Sequence, residues 1–164
     1  MPAAAARAFV GIGANLGAAE DMVCLALREL GRLPGTVLAA QSSLYRSAPV
    51  QASGPDFVNA VAELHTTLEP LALLLQLQAL EQAHGRVRSV RNAPRTLDLD
   101  LLDHGGRIWQ DERLVLPHPR LHLRAFVLQP LLEIAPQLAL PGLGPLAPWL
   151  AQVSGQAIER IGPG

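Results

Sequence analysis

Residues 94–105 read Pro-Arg-Thr-Leu-Asp-Leu-Asp-Leu-Leu-Asp-His-Gly, and they predict the strand around which the fold is organised. Side chains two residues apart lie on the same face of a strand, so the leucines at alternate positions would enter a core while Asp98 and Asp100 face the other way. At a rise of about 3.3 Å per residue, the two carboxylates would lie about 7 Å apart on one face. The stretch therefore predicts a rigid strand that carries a pair of carboxylates.

Paired carboxylates on a strand suit Mg²⁺, which binds one or two carboxylates and completes its coordination with water and phosphate oxygens. The pair could also hold two ions. Arg95 follows Pro94 just upstream, and a guanidinium is the expected partner for the remaining charge of a phosphate. The alternative is a half-exposed strand without a ligand, because alternating leucine and aspartate is typical of such strands too.

The composition limits the classes of protein to which this chain can belong. Its 164 residues fit one domain, and the 13 basic and 14 acidic residues nearly balance, which argues against nucleic acid or a membrane surface as the principal partner. All the basic residues are arginines, so a P-loop, which needs its lysine, is excluded. No apolar run reaches about 18 residues and the first eight residues do not form a signal peptide, so a cytoplasmic location is expected.

Hydrophobic periodicity predicts an α+β protein. The predicted strands cover residues 8–13, 36–46, 57–66, the two-aspartate stretch and 107–110, the last returning antiparallel to it. The predicted helices cover 18–33, a segment that begins near Pro70 and stops at Gly85, and a third segment that contains Arg124 and Phe126. This order indicates a ferredoxin-like antiparallel sheet with helices packed on one of its faces, in a single domain.

Two glycines end the first predicted strand, in the sequence Gly11-Ile12-Gly13-Ala14-Asn15-Leu16-Gly17. The spacing differs from the dinucleotide-binding pattern, and the next strand ends in Gln41 without the acid that would bind a ribose. We therefore interpret the glycines as a tight turn from strand to helix.

Two further stretches predict ligand contacts. Phe57 and Asn59 share one face of the predicted strand 57–66, where they could stack on a flat heterocycle and hydrogen-bond its edge; alternatively, Phe57 is a core residue and Asn59 faces a turn. Four arginines lie within residues 86–95. They are either a solvated charge run or an anion-binding loop, and their mutual repulsion favours an anion.

Together these motifs resemble the 6-hydroxymethyl-7,8-dihydropterin pyrophosphokinase family, which moves a diphosphate from ATP to a pterin alcohol in the folate pathway. The resemblance covers residues 9–141 and leaves 142–164 as a tail with a short helix. It rests on Gly-x-Asn-Leu-Gly at 13–17, Tyr-Arg-Ser-x-Pro at 45–49, Phe-Val-Asn-Ala at 57–60, Gly-Arg-Val-Arg at 85–88, Pro-Arg-Thr-Leu-Asp-Leu-Asp at 94–100, Leu-Pro-His at 116–118 and Arg-x-Phe at 124–126.

The resemblance implies a role for each site residue. Asp98 and Asp100 would hold two Mg²⁺ ions that bridge the ATP phosphates. The ATP-binding residues would be Gln78, Glu81, Arg86, Arg88, Arg95, Leu101, Arg113, His118 and Arg124, with Arg86 and Arg95 as the catalytic candidates. The pterin-binding residues would be Ser47, Ala48, Pro49, Val50, Phe57, Asn59 and Phe126.

The implied reaction is attack by the hydroxymethyl oxygen on the β-phosphorus of ATP, with AMP as the leaving group, and catalysis would be mainly positioning and electrostatics. A monomer is expected.

Two other functions would use some of the same residues. A metal-dependent phosphohydrolase would need the aspartates and arginines but no flat-ring pocket, and a ferredoxin-like nucleotide- or RNA-binding module would need more exposed aromatic residues and a more basic surface.

Overall fold

The computed structural model describes residues 4–15, 18–48, 56–84 and 97–163. The strands are β1 (Ala6–Ala14), β2 (Thr36–Gln41), β3 (Leu44–Ser47), β4 (Phe57–Thr66), β5 (Asp98–His104), β6 (Trp109–Gln110), β7 (Val115–Leu116), β8 (Ala139–Leu140), β9 (Gly144–Pro145) and β10 (Ile158–Gly162). The α-helices are α1 (Ala19–Leu30), α2 (Pro70–Ala83) and α3 (Ala125–Ile134), and short 3-10 helices cover Leu121–Leu123 and Ala147–Val153.

The main sheet is antiparallel, with the order β10-β3-β4-β1-β5, and β2 also pairs with β4. If β2 and β3 are taken together, the chain runs β-α-β-β-α-β through this sheet, which is the ferredoxin-like arrangement. The predicted α+β class and antiparallel sheet are therefore confirmed. The third predicted strand, 57–66, also has the predicted bounds.

The long second strand predicted at 36–46 is wrong in one respect, because the structure divides it into β2 and β3. Ser42 lies at the break. Its backbone N–H donates to the carbonyl of Val61 at 2.9 Å, and its side-chain Oγ accepts from the Val61 N–H at 2.9 Å. The hydroxyl thus bonds to β4 where a regular ladder would use a carbonyl, and the strand is interrupted there.

Both faces of the main sheet are covered, which corrects the expectation of one covered face. On the first face, Val10, Ile12 and other apolar residues of β1, β4 and β5 pack against α1 and α2. On the second face, Phe9 and Val61 pack with apolar residues of α3 and the C-terminal segment, such as Leu128. The second face needs its own cover because it also carries large apolar side chains.

Two pairings differ from the sequence predictions. β6 pairs with β7 rather than with the two-aspartate strand, so it forms a separate small sheet. The C-terminal segment supplies β10, an unpredicted strand that pairs with β3 at the edge of the main sheet. No helix in the four described ranges is long and apolar enough to cross a membrane.

Candidate functional site

Two glycines of β1 form the floor of a cavity on the second face of the sheet. Gly13 pairs with Asn59 of β4 on one side and with Asp98 of β5 on the other, and Gly11 pairs with Asp100. With no side chains at the two glycines, a cavity of about 180 Å³ opens between β4, β5 and the start of α3. Sequence reasoning placed these glycines in a turn, although glycines two apart within a strand are a signal of close approach by a ligand.

The cavity brings together many of the predicted site residues from distant parts of the chain. Among its lining residues are Ser47, Ala48, Phe57, Asn59, Asp98, Asp100, Arg124 and Phe126. Pro49, Val50, Arg86, Arg88 and Arg95 were predicted to join them, and they lie outside the described residues. The cavity therefore has aromatic and amide groups on its β3–β4 side and carboxylates on its β5 side.

The orientation of the Asn59 amide is determined by Ser47. Asn59 is buried, and its Nδ2 donates a hydrogen bond to Ser47 Oγ at 2.7 Å. A Cβ added to Gly13 would lie 3.4 Å from Asn59 Oδ1, so the amide oxygen lies beside the floor of the cavity. Asn59 can thus accept a hydrogen bond from the edge of a ligand there.

Arg124 and Phe126 reach the cavity from the beginning of α3. Arg124 has an extended backbone, φ −126° and ψ 116°, and it directly precedes the helix. Its guanidinium carbon lies 5.5 Å from the centroid of the Phe126 ring, a cation–π distance that orients the charged group. Since the N-terminus of a helix also favours anions, this part of the cavity suits a phosphate.

The two-aspartate strand has the predicted alternation. Leu97, Leu99 and Leu101 are buried in the core of the first face, while Asp98 and Asp100 line the cavity on the second. Leu101 was predicted to bind ATP, but its side chain is in this core and not in the cavity. The packed leucines fix the strand, and the strand in turn fixes the direction of both carboxylates.

Glu81 of α2 supports the same strand from its outer edge. Its side chain is buried, and Oε2 accepts a hydrogen bond from the N–H of Leu99 at 2.9 Å. Because Leu99 separates the two aspartates, this bond ties α2 to the backbone between them. Glu81 was predicted to bind ATP, and this hydrogen bond places it against the strand that carries the carboxylates.

His118 lies close to the aspartate end of the cavity. Burial lowers the pKa of His118 to about 4, and the positive charges of Arg124 and Arg120 act in the same direction, while Asp98 opposes them. Its Nδ1 accepts a hydrogen bond from the Arg120 N–H at 3.2 Å. The imidazole is therefore neutral at physiological pH with its proton on Nε2, which makes it a hydrogen-bond donor to an anion.

Two other predicted ATP-binding residues do not line the cavity. Gln78 lies partly buried on α2, and Arg113 is exposed between β6 and β7. The backbone N–H of Arg113 donates to Asp111 Oδ1 at 2.8 Å, which shapes that turn. Both residues are outside the 180 Å³ space, so any contact that they make with a ligand is separate from it.

The donor set of the cavity fits a metal ion that takes some of its ligands from the protein and the rest from a substrate. No group of three or more histidine, cysteine, aspartate or glutamate side chains that could hold an ion occurs among residues 4–15, 18–48, 56–84 and 97–163. The pair Asp98 and Asp100 supplies two hard oxygen ligands on one face of one strand. This set is too small for a closed structural site, but it is what Mg²⁺ uses when phosphate oxygens complete its coordination.

The amino-acid sequence is similar to those of known proteins. The family model described as 7,8-dihydro-6-hydroxymethylpterin-pyrophosphokinase (HPPK) matches residues 9–136. The chain is 46% identical over 156 residues to the 2-amino-4-hydroxy-6-hydroxymethyldihydropteridine pyrophosphokinase of Pseudomonas aeruginosa, a match that covers 94% of this chain and 96% of that protein. It is 41% identical over 157 residues to the protein of the same name from Haemophilus influenzae, covering 95% and 98% of the two chains.

Solved structures show the same fold at much lower identity. The crystal structure of wild-type Plasmodium falciparum HPPK-DHPS with pteroate matches with a TM-score of 0.73 at 11% identity. That match covers 90% of this chain and 44% of the solved chain, so this protein spans less than half of the protein that it resembles. A likeness of this kind supports the fold alone.

Proposed function

This chain belongs to the 7,8-dihydro-6-hydroxymethylpterin-pyrophosphokinase family, and from that premise we propose how its residues carry out the reaction. The activity is that of an ATP-dependent pyrophosphokinase in folate biosynthesis, with ATP and the hydroxymethyldihydropterin as substrates. The hydroxymethyl oxygen forms a bond to the β-phosphorus of ATP while the bond from that phosphorus to the oxygen shared with the α-phosphorus breaks. AMP leaves, the hydroxyl proton is released, and the pterin diphosphate is formed.

The observation that carries this proposal is the cavity, whose opposite sides match the two substrates. Phe57 and the Asn59 amide line it from β4, Asp98 and Asp100 line it from β5 on the other side of β1, and Phe126 is added from α3. A flat heterocycle needs the aromatic rings and the amide, and a metal-bound phosphate chain needs the carboxylates. The floor of glycine backbone between them allows the two substrates to approach each other closely.

We assign the pterin to the β3–β4 side of the cavity. Phe57 and Phe126 contact the faces of its ring system, and Asn59 Oδ1 accepts a hydrogen bond from the N–H groups at its amide edge. The bond from Asn59 to Ser47 supports this assignment, because it directs the amide nitrogen toward Ser47 and leaves the oxygen for the ligand. Ser47 and Ala48 complete the wall, and Pro49 and Val50 are assigned to it from the sequence alone.

We assign the triphosphate to the β5 side. Asp98 and Asp100 would hold the Mg²⁺ that accompanies ATP, and the ion would neutralise charge on the phosphate oxygens when it is bound there. Arg124 and the neutral His118 donate hydrogen bonds to those oxygens. Arg86, Arg88 and Arg95 add positive charge in this proposal on the strength of their sequence positions, with Arg86 and Arg95 in catalytic roles.

The chain's own contribution to catalysis is orientation and electrostatics. Holding the hydroxymethyl oxygen and the β-phosphorus at reacting distance converts a bimolecular step into an effectively unimolecular one. Arg124 and His118 are fixed before the reaction begins, by α3 and by the backbone of Arg120, so little reorganisation is needed as charge develops. No residue is assigned as a general base.

One chain supplies both walls of the cavity, and we propose that a single domain acts as a monomer.

The test is to incubate the protein with ATP, Mg²⁺ and 6-hydroxymethyl-7,8-dihydropterin and to separate the nucleotides by chromatography. AMP is expected, and only when both the pterin and the metal are present. ADP, or inorganic phosphate released without the pterin, would contradict diphosphate transfer and would favour a phosphohydrolase.

A further inference from the structure

Gln156, in the C-terminal segment, makes two hydrogen bonds to the backbone just before α3. Its side-chain Nε2 donates to the carbonyl of Leu123 at 2.8 Å, and its Oε1 accepts from the N–H of Ala125 at 2.9 Å. The residue between these two backbone groups is Arg124. One carboxamide therefore fixes the chain on both sides of an arginine that lines the cavity.

The backbone at this point has little other support from side chains. The first N–H groups of a helix have no partner within the helix, and no side-chain hydrogen bond comes from Arg124 at the N-cap position. The bond from the Ala125 N–H to Gln156 fills this role. Phe126 follows one residue later, so the same clamp determines where both Arg124 and Phe126 enter the cavity.

The same segment also supports the opposite wall. Two residues after Gln156, Ile158 begins β10 and pairs with Ser47 of β3. Ser47 in turn pairs with Phe57 and accepts the hydrogen bond from Asn59. Residues 156–158 therefore contact the helix side and the sheet side of the cavity within three positions of the chain.

We propose that Gln156 is a positioning residue for diphosphate transfer, acting through Arg124 and Phe126. The inference rests on the proposed function. Gln156 holds Arg124 against the phosphates and Phe126 against the pterin, and it lies outside residues 9–136, the part of the chain that the family model matches. The C-terminal segment, which the family resemblance left as a tail, thus takes part in the reaction by fixing the geometry of the site.

The chemistry of the carboxamide explains why a glutamine serves here. The two backbone groups require one acceptor and one donor at the end of one side chain, and an amide provides both. A carboxylate would keep the bond to the Ala125 N–H but would lose the bond to the Leu123 carbonyl. Gln156 is exposed, but it caps the start of α3, so its replacement should lower the melting temperature by a few degrees.

The experiment compares Gln156→Met with Gln152→Met. Both replacements remove an exposed glutamine of the C-terminal segment and keep the length of the side chain, but Gln152 is not placed in the site. Initial rates of AMP formation are measured against pterin concentration at saturating ATP and Mg²⁺. For Gln156→Met we expect KM for the pterin to rise and kcat to fall, each by about fivefold to tenfold, as expected for one or two lost hydrogen bonds. Gln156→Glu should be intermediate.

The change in KM separates positioning from a general loss of structure. A purely structural role would lower the fraction of folded enzyme, which reduces the apparent kcat and leaves KM unchanged. The melting temperature of Gln156→Met should lie about 2–4 °C below that of Gln152→Met, so both variants should be folded in the assay. Equal kinetics for the two variants, or a kcat loss that follows the unfolded fraction at constant KM, would overturn the inference and leave the proposed function standing. A wild-type protein that forms no AMP would overturn both.

Discussion

The two faces of the main sheet are built from alternating residues of the same strands, yet the first is packed throughout and the second opens into a cavity beside its packed core. In β1, Val10 and Ile12 enter the core of the first face, while Gly11 and Gly13 lie on the second and leave space. In β5, Leu99 and Leu101 pack on the first face, and Asp98 and Asp100 line the cavity on the second.

This difference shows how one strand can be held rigidly by packing on one face and carry the side chains of the site on the other. The side chains of the first face determine where the backbone lies, because close packing leaves them little freedom. The cavity residues of the second face are attached to the same backbone, so they can be small or charged while the strand stays in place. Substitutions in the core of the first face should therefore change mainly the free energy of unfolding, and those at the cavity positions of the second face mainly the reaction.

The largest effect is expected from the carboxylates of the second face. Asp98→Asn or Asp100→Asn should lower diphosphate transfer by about 10²- to 10⁴-fold, because the metal loses an anionic ligand. The affinity for the pterin should stay within about twofold of the wild-type value, since the ring is bound by other residues. AMP formation and equilibrium binding of the pterin measure the two quantities. Equal losses in both would contradict the division of the cavity into two sides.

The matched change on the first face is Leu27→Ala in α1. Leu27 is 1% exposed, and its truncation should lower the free energy of unfolding by about 2–5 kcal/mol. Denaturant unfolding measures this loss. Turnover per folded molecule should be unchanged in buffer without denaturant. A large fall in turnover, after correction for the folded fraction, would show that the two faces are more tightly coupled than proposed.

Gly13→Ala should make the second face more like the packed first face, because it adds a methyl group to the cavity floor. The new Cβ would lie 3.4 Å from Asn59 Oδ1 and 3.8 Å from Phe57 Cδ1, which the fold can accommodate. The methyl group would occupy space assigned to the pterin, so KM for the pterin should rise about tenfold, equivalent to about 1.4 kcal/mol. Steady-state kinetics provide the measurement.

Gly155→Ala is the control for this change, because a Cβ there meets nothing within 4 Å. Its KM should equal that of the wild type. An unchanged KM in Gly13→Ala as well would show that the pterin does not approach this floor.

The smallest effect concerns the attachment of α3, which covers the second face. Glu133 accepts hydrogen bonds from the hydroxyl of Tyr45 at 2.6 Å and from the N–H and Oγ of Ser43. Burial alone would raise the pKa of Glu133, but the bonds from Tyr45 and Ser43 outweigh it and lower the pKa below its usual value. Glu133→Gln should reduce the free energy of unfolding by about 1 kcal/mol at neutral pH.

The pH dependence of this attachment has a definite sign. A carboxylate whose pKa is lowered by folding stabilises the protein fully above its unfolded pKa, and this contribution is lost as the pH falls through the folded pKa. The difference between wild type and Glu133→Gln should therefore shrink on acidification below about pH 4.5. Glu112→Gln, an exposed change between β6 and β7, is the control. A difference that stays constant down to pH 2 would exclude the carboxylate as its source.

The parts of the fold and the site that sequence could predict are those set by local patterns. The alternation of leucine with Asp98 and Asp100, and of Phe57 with Asn59, reports the faces of two strands directly, since side chains alternate at every residue. The parts that it missed depend on partners far along the chain. The break at Ser42 follows from one hydroxyl that bonds to Val61, and β10 exists because β3 offers it an edge.

The cavity floor is a second feature that the sequence alone could not predict. Gly11 and Gly13 have no side chains, so nothing in their own pattern indicates which neighbours they lie between. Only the register of β1 against β4 and β5 shows that they separate an amide from two carboxylates. The family resemblance supplied the site residues but not this separation, and it did not indicate the contribution of Gln156.

The outer edge of β5 has a further consequence, for the behaviour of the protein at high concentration. An edge strand with free N–H and C=O groups is a template on which other molecules can add strands and aggregate. Here the Leu99 N–H is bonded to Glu81, and the Leu102 C=O accepts a hydrogen bond from the backbone N–H of His118 at 2.9 Å. Two residues associated with the ATP side thus also block edge-to-edge association, which helps to keep the strand that carries the carboxylates available to substrates.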